Sequence, residues 1–362
     1  MNRWSPLALA LASVAALGGP FGEASAQPAP RPLVYVLSTG GTISGKGASS
    51  TSLAEYQSGA LRGEDLVAAV PEIKGVADVR VEQVANVSST DITLANWLTL
   101  ANRINAIFAS DPAASGVVIT HGTNTLEETA YFLNLTVAYD KPVVLVGAMR
   151  PASAISADGP LNLLNAIRTA VSKDAVGKGV LVVLNDEING ARDVTKTNTY
   201  RVETFKSPEL GLLGYVDADR VAFYRASTKR HTARSEFDVR GLASLPPVEI
   251  LYSYVQPSTV LAQALVQAGT RGIVMAGTGA GLVSTAERAA LKPLLTLPAA
   301  SRPVVVRSNR TGNGRVVALP EYDALGMIPA DTLSPQKARV LLMLALTKTT
   351  DLAEIRRMFA EY

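Results

Sequence analysis

Leu33-Val34-Tyr35-Val36-Leu37 runs directly into Ser38-Thr39-Gly40-Gly41-Thr42, and farther along Val117-Val118-Ile119 runs into Thr120-His121-Gly122-Thr123-Asn124-Thr125. Each is a β-branched run ending in a hydroxyl-rich turn, the place just past the carboxyl end of a strand where open α/β sheets bind ligands. Glycines beside the threonines let the chain turn sharply and let backbone approach a ligand closely. Two such turns point to one site.

Outward from these motifs, short apolar runs alternate with longer amphipathic stretches: 33–37, 61–70, 79–84, 93–108, 116–120, 126–138, 143–146, 161–171 and 180–184. That alternation is the sequence form of βαβ units and predicts an α/β fold with a mainly parallel open sheet. Asp91 or Thr93 is placed to cap the helix that carries Trp97, Leu98, Ile104 and Ile107 on one face. Between residues 229 and 247 the pattern gives way to a polar, charged stretch ending in Leu245-Pro246-Pro247, read as an interdomain linker. A second, smaller α/β series begins at Val248 and runs through 272–276 and 304–307 to terminal helices over 335–359. The expected organisation is a leader over 1–26, a catalytic N-terminal domain over 27–228, the linker, and a C-terminal domain over 248–362.

The 362 residues are 48% hydrophobic, enough for substantial cores, and carry a formal net charge of +3. No basic run or aromatic-interleaved patch suits nucleic acid. Arg3, the apolar stretch 7–17 and Ala24-Ser25-Ala26 before Gln27 read as a secretory signal peptide, too short to span a bilayer, which needs ~20 residues. A periplasmic or secreted protein, free of the membrane after cleavage, is expected. The chain has no cysteine, so neither a disulfide framework nor a thiolate nucleophile is available.

Competing motifs fall on specific residues. Gly40-Gly41-Thr42-Ile43-Ser44-Gly45-Lys46 opens like a phosphate-binding loop, but Gly47 stands where a Mg²⁺-binding Ser or Thr is required. Gly277-Thr278-Gly279-Ala280-Gly281 resembles a dinucleotide turn until Leu282, and is read as a tight structural turn. The only histidines, His121 and His231, lack carboxylates at ligand spacing, and no G-x-S-x-G elbow is present. Metal sites and a Ser-His-Asp triad are therefore not expected. Threonine remains as nucleophile, and a weak hydroxyl needs a neighbouring base such as Lys196 or a tyrosine.

Taken together, Ser38–Ile43, Thr120–Thr123, Leu126–Phe132, Lys141–Val144, Gly147–Pro151, Ser156–Pro160, Arg192–Asn198 and Pro335–Arg339 resemble the type II bacterial L-asparaginases of the glutaminase-asparaginase class. The resemblance covers nearly the whole chain after the leader. It implies hydrolysis of L-asparagine to L-aspartate and ammonia, with some glutaminase activity, no cofactor, and a homotetramer built as a dimer of dimers. It also implies roles. Thr42 matches the nucleophile, Tyr56 the tyrosine of a lid over the Gly- and Ser-rich stretch Ser44–Ser58, and Thr123 with Lys196 the second hydroxyl and its base. Ser89 matches a binder of the substrate α-carboxylate, and Thr90 stands where relatives carry Gln or Glu. Gln256 matches a polar substrate contact, and Glu321 a glutamate donated across a subunit interface. Asn124 departs from the pattern, which has aspartate there for the substrate's α-ammonium. An active variant, an altered substrate and an inactivated enzyme are all compatible with that change. So are, as other functions, an amidase for another small amide and a periplasmic small-molecule binding protein.

Overall fold

The run Leu33–Leu37 forms the first five residues of a strand, β1 (Leu33–Gly40), whose alternate side chains point to opposite faces of the sheet. Tyr35 and Leu37 enter one apolar cluster while Val34 and Val36 enter another. The same reasoning makes β2 (Asp78–Val87), β3 (Ala114–Thr120), β4 (Val143–Val146) and β5 (Val180–Leu184), which run parallel to one another and to β1, in the order β2-β1-β3-β4-β5. Three short antiparallel strands, β6 (Glu187–Gly190), β7 (Gly214–Val216) and β8 (Val221–Phe223), extend the far edge to eight strands. These edge strands have no clear alternation in sequence. The computed structural model describes Met1 and residues 30–362, so the leader expected over 1–26, Met1 apart, and its cleavage site before Gln27 lie outside the described residues.

Helices cover both faces. On one side lie α1 (Gly63–Ala68) and α4 (Gly159–Val171), whose Leu66, Leu163 and Ile167 pack on Val34 and Val36. On the other lie α2 (Leu94–Ser110) and α3 (Leu126–Thr136). Thr93 caps α2, accepting from the Asn96 amide at 3.2 Å, while Asp91 does not.

A second, smaller sheet is wholly parallel: β9 (Val248–Tyr252), β10 (Gly272–Gly277), β11 (Val304–Asn309) and β12 (Ile328–Pro329) in that order. Its helices are α5 (Leu261–Gln267), α6 (Thr285–Leu295), α7 (Pro335–Leu346) and α8 (Leu352–Glu361). The face under α7 and α8 joins the cluster under α2 and α3, so one continuous apolar core runs between the two sheets. The stretch 229–247 is bolted down along its length. Lys229 Nζ donates to Asp331 and to the Ala360 carbonyl, the Arg230 guanidinium lies 4.9 Å from the Tyr362 ring centre, and Phe237 and Val239 are buried. Polar residues of this linker form ion pairs, Arg230 with Glu236 and Arg240 with Asp238.

Candidate active site

The order β2-β1-β3 creates a topological switch point: from β1 the chain goes to one side for β2 and returns to the other for β3. Loops leaving β1 and β3 diverge in that position and leave a crevice between them. Thr42 begins the single turn Thr42–Ser44 directly after β1, and Thr123 lies between β3 and α3, so the two threonines flank the crevice. Glycine brings them close. A Cβ on Gly41, which has φ 84°, would fall 2.2 Å from the Gly122 Cα.

A cleft of about 640 Å³ opens at this point, lined by Thr42, Tyr56, Thr123, Asn124, Met149 and Lys196 with Leu53, Ala54 and residues 197–200. On one wall the Thr42 Oγ1 and Tyr56 hydroxyl are 2.7 Å apart. On the other, Lys196 Nζ donates to Thr123 Oγ1 at 2.9 Å and to Asn124 Oδ1 at 3.1 Å. Each wall thus holds a threonine hydroxyl joined to a group able to carry its proton. Burial lowers the Lys196 pKa from its ordinary value, with the negative charge of Glu127 acting in the opposite sense. The direction favours a lysine able to act as a base.

Tyr56 arrives on a two-residue hairpin in which Lys46–Gly47 pairs with Tyr56–Gln57. That loop is tied to the segment after β4: the Ala152 amide donates to the Gly45 carbonyl at 2.9 Å, the Gly47 amide to Ser153 Oγ at 2.8 Å, and the Ile155 amide to the Ser50 carbonyl at 2.8 Å. Asp158 in turn accepts from the Met149 and Arg150 amides, both at 2.9 Å, and shapes the turn that puts Met149 in the cleft.

The substrate-contact candidates divide. Asn124 lines the cleft. Ser89 is buried and is not among the lining residues; its Oγ accepts the Asn124 amide at 3.1 Å, and its carbonyl accepts Thr125 Oγ1 at 2.7 Å. Thr90 is exposed and donates to Ser88 Oγ at 2.9 Å. Gln256, exposed with φ 55°, follows β9, and Glu321, exposed and paired with Arg288, sits on a helical turn before β12. Neither lines this chain's own cleft, because both ride on loops of the smaller sheet.

His121 is not among the residues lining the cleft. It is fully buried, its Nδ1–H donates to the Gly122 carbonyl at 2.7 Å, and Nε2 accepts from Thr129 Oγ1 at 3.0 Å, whose oxygen takes the Trp97 indole N–H at 2.8 Å. That chain fixes one neutral tautomer, and burial pushes its pKa down to about 4. His231 is also buried, with Nδ1 2.8 Å from Thr232 Oγ1. Among the described residues no group of three or more His, Asp or Glu side chains could hold a metal ion.

Sequence reasoning missed what holds Lys196 in place. The Lys196 amide donates to Glu127 Oε2 at 2.8 Å, Gln336 Nε2 reaches Glu127 Oε1, and the fully buried Lys337 ammonium donates to the carbonyls of Arg192 and Val194. Glu127 reads in sequence as a charge suited to the positive end of α3. Lys337 was the available signal, since a lysine in the first turn of α7 opposes that helix's dipole and so needs another reason to be there.

A family model described as Asparaginase, N-terminal, matches residues 33–229, and one for the Glutaminase/Asparaginase C-terminal domain matches 247–359. The chain is 50% identical over 335 residues to L-asparaginase 2 of Bacillus subtilis, covering 91% of this chain and 87% of that one. It is 47% identical over 343 residues to a probable periplasmic L-asparaginase of Haemophilus influenzae, covering 94% and 96%. A crystal structure of a probable cytoplasmic L-asparaginase from Campylobacter jejuni superposes with a TM-score of 0.88 at 49% identity, covering 92% of this chain and 100% of that one.

Proposed function

Since the chain belongs to the asparaginase family and is an L-asparaginase, we propose that it cleaves the side-chain amide of L-asparagine through a covalent ester on Thr42. The observation that carries this reading is the pair of hydroxyl contacts facing one cleft, Thr42 with Tyr56 at 2.7 Å and Thr123 with Lys196 at 2.9 Å. Thr42 Oγ1 attacks the amide carbon as its proton is taken by the Tyr56 oxygen and the Tyr56 hydroxyl releases its own proton toward the amide nitrogen, forming a tetrahedral adduct. Collapse breaks the C–N bond, the nitrogen takes up the proton and leaves as ammonia, and the acyl group stays on Thr42. Lys196, through the Thr123 hydroxyl, then draws a proton from water. The resulting hydroxide attacks the ester carbon, and Thr42 leaves with the proton restored as L-aspartate forms.

Asn124, whose backbone amide is held by Ser89 Oγ beneath it, belongs to the end of the cleft that takes the α-carboxylate and α-amino group. Gln256 and Glu321 act from a neighbouring copy in a homotetramer, which accounts for their absence from this chain's own cleft. L-Glutamine, one methylene longer, is a second substrate. The leader directs export to the periplasm or medium, and no cofactor takes part.

Ammonia release from L-asparagine, L-glutamine and simple amides, followed by intact mass of the enzyme quenched during turnover, tests the scheme. An adduct on Thr42 is expected. Its absence in a turning-over enzyme, with full activity in Thr42→Val, would overturn the nucleophile. A second reading, preference for an amide without a free α-amino group, is favoured by one contact: Asn124 gives its only side-chain acceptor to Lys196 and keeps a donor for the cleft.

A further inference from the structure

The carboxylate of Glu127 lies at the start of α3, and both of its oxygens are taken by N–H donors from distant parts of the chain. Oε2 accepts the Lys196 amide at 2.8 Å, and Oε1 accepts Gln336 Nε2 from the first turn of α7. The side chain is buried, at 6% exposure. A buried carboxylate persists only where its charge is matched by hydrogen bonds and nearby positive groups. Here one of those groups is Lys196 itself, and the other is the buried Lys337. Lys337 holds the carbonyls of Arg192 and Val194, so the strand of chain leading into Lys196 is gripped from its carbonyl side by α7 and from its amide side by α3.

We propose that Glu127, bridged to α7 through Gln336, is the positioning residue of Lys196: it fixes the lysine's backbone and sets a buried negative charge near its side chain. This rests on the reading of Lys196 as the base. Burial by itself lowers the lysine's pKa, which frees its amine at neutral pH but makes it a weaker base. Glu127 opposes that lowering. The other charges packed around this brace are Glu128, Arg192, Asp193 and Arg339, of which Arg339 faces Glu128 and Arg192 pairs with Asp193. Thr123 and Asn124 face the ammonium but carry no charge. The two sheets are thereby coupled at the site: a contact from the smaller one reaches the lysine of the larger one in a single step through Glu127.

Glu127→Gln keeps an acceptor for the Lys196 amide and removes the charge, and the Gln336 amide can turn to meet the new side chain. The rising limb of the kcat/KM pH profile is then expected to move down by about one pH unit. The rate at which acetic anhydride labels Lys196, followed by mass spectrometry across pH, should show the same shift without reference to turnover. Glu127→Ala also frees the backbone, and a fall in kcat of about 10- to 100-fold with little change in KM is expected from a misplaced base. Lys196→Met separates the two ideas. If it is inactive while Glu127→Gln matches the parent in both profile and labelling, the positioning role is wrong. If Lys196→Met retains activity, the base assignment fails, and the labelling shift alone decides whether Glu127 sets the charge of Lys196.

Discussion

Gly41 and Gly122 touch across the crevice, and their missing side chains are what bring the β1 and β3 turns together: a Cβ on Gly122 would lie 2.7 Å from Ser89 Oγ and 3.0 Å from the Gly41 Cα. Three loops, after β1, β2 and β3, therefore meet at one glycine. Gly122→Ala is expected to destabilise the fold by about 1–3 kcal/mol, the range for forcing an extra methyl into packed structure. It should also lower kcat by roughly 100-fold, because the threonines part. Thermal unfolding and steady-state rates check both, and a fully active variant would show the close approach to be dispensable.

Thr42→Val removes the hydroxyl at nearly constant shape. Loss of turnover is expected, with stability changed by no more than about 1.5 kcal/mol for the missing contact to Tyr56. Tyr56→Phe should reduce kcat by about 100-fold or more if its hydroxyl carries the proton. A near-parental rate would leave Tyr56 as packing over the cleft.

Asn124→Asp adds a charge where Lys196 Nζ now finds an amide oxygen at 3.1 Å. An anion beside a lysine raises its pKa, so the rising limb should move to higher pH. The second carboxylate oxygen offers the substrate's α-ammonium a charged partner worth ~1.5–3 kcal/mol, hence about a 10- to 100-fold gain in kcat/KM for L-asparagine. No gain, together with parental preference for an amide lacking the α-amino group, would replace asparagine as the preferred substrate.

The loop carrying Tyr56 is latched by Ser153, whose Oγ accepts the Gly47 amide at 2.8 Å. Ser153→Ala leaves two backbone bonds and removes the third, an effect of about 1 kcal/mol on the closed loop. Faster amide exchange across residues 45–57 and a several-fold higher KM are expected. Unchanged exchange at Gly47 would show that the latch does not hold the loop.

His121 makes stability depend on acid. Its folded pKa, about 4, lies below the unfolded value near 6.5, so the unfolded chain binds a proton first as pH falls. The contribution is fully present above pH 6.5 and is lost on the way down to pH 4, by ~3 kcal/mol in all. His231, shifted in the same direction by burial, adds to it. Urea midpoints for the parent and His121→Asn should converge as the pH is lowered through that window, and parallel midpoints would assign the acid sensitivity elsewhere.

Sequence by itself determined the α/β order of elements, because short apolar runs such as those of β1, β3, β4 and β5 and the helical spacing of Trp97, Leu98, Ile104 and Ile107 are local properties. It also singled out Thr42, Tyr56, Thr123 and Lys196, through the family resemblance of the stretches that carry them. The antiparallel strands β6 to β8 escaped it, since strands of three or four residues are too short for periodicity to show. The paired turns pointed to one site, but only the tertiary structure decided how Thr42 and Thr123 meet there, because this depends on β1 lying between β2 and β3, a non-local pairing that no window of sequence contains. The same is true of Glu127, Gln336 and Lys337, which look like ordinary helix-end residues until two sheets close over them. Burial then turns their charges and amides into the support of one lysine, because a polar group removed from water must find its partners wherever the fold brings them.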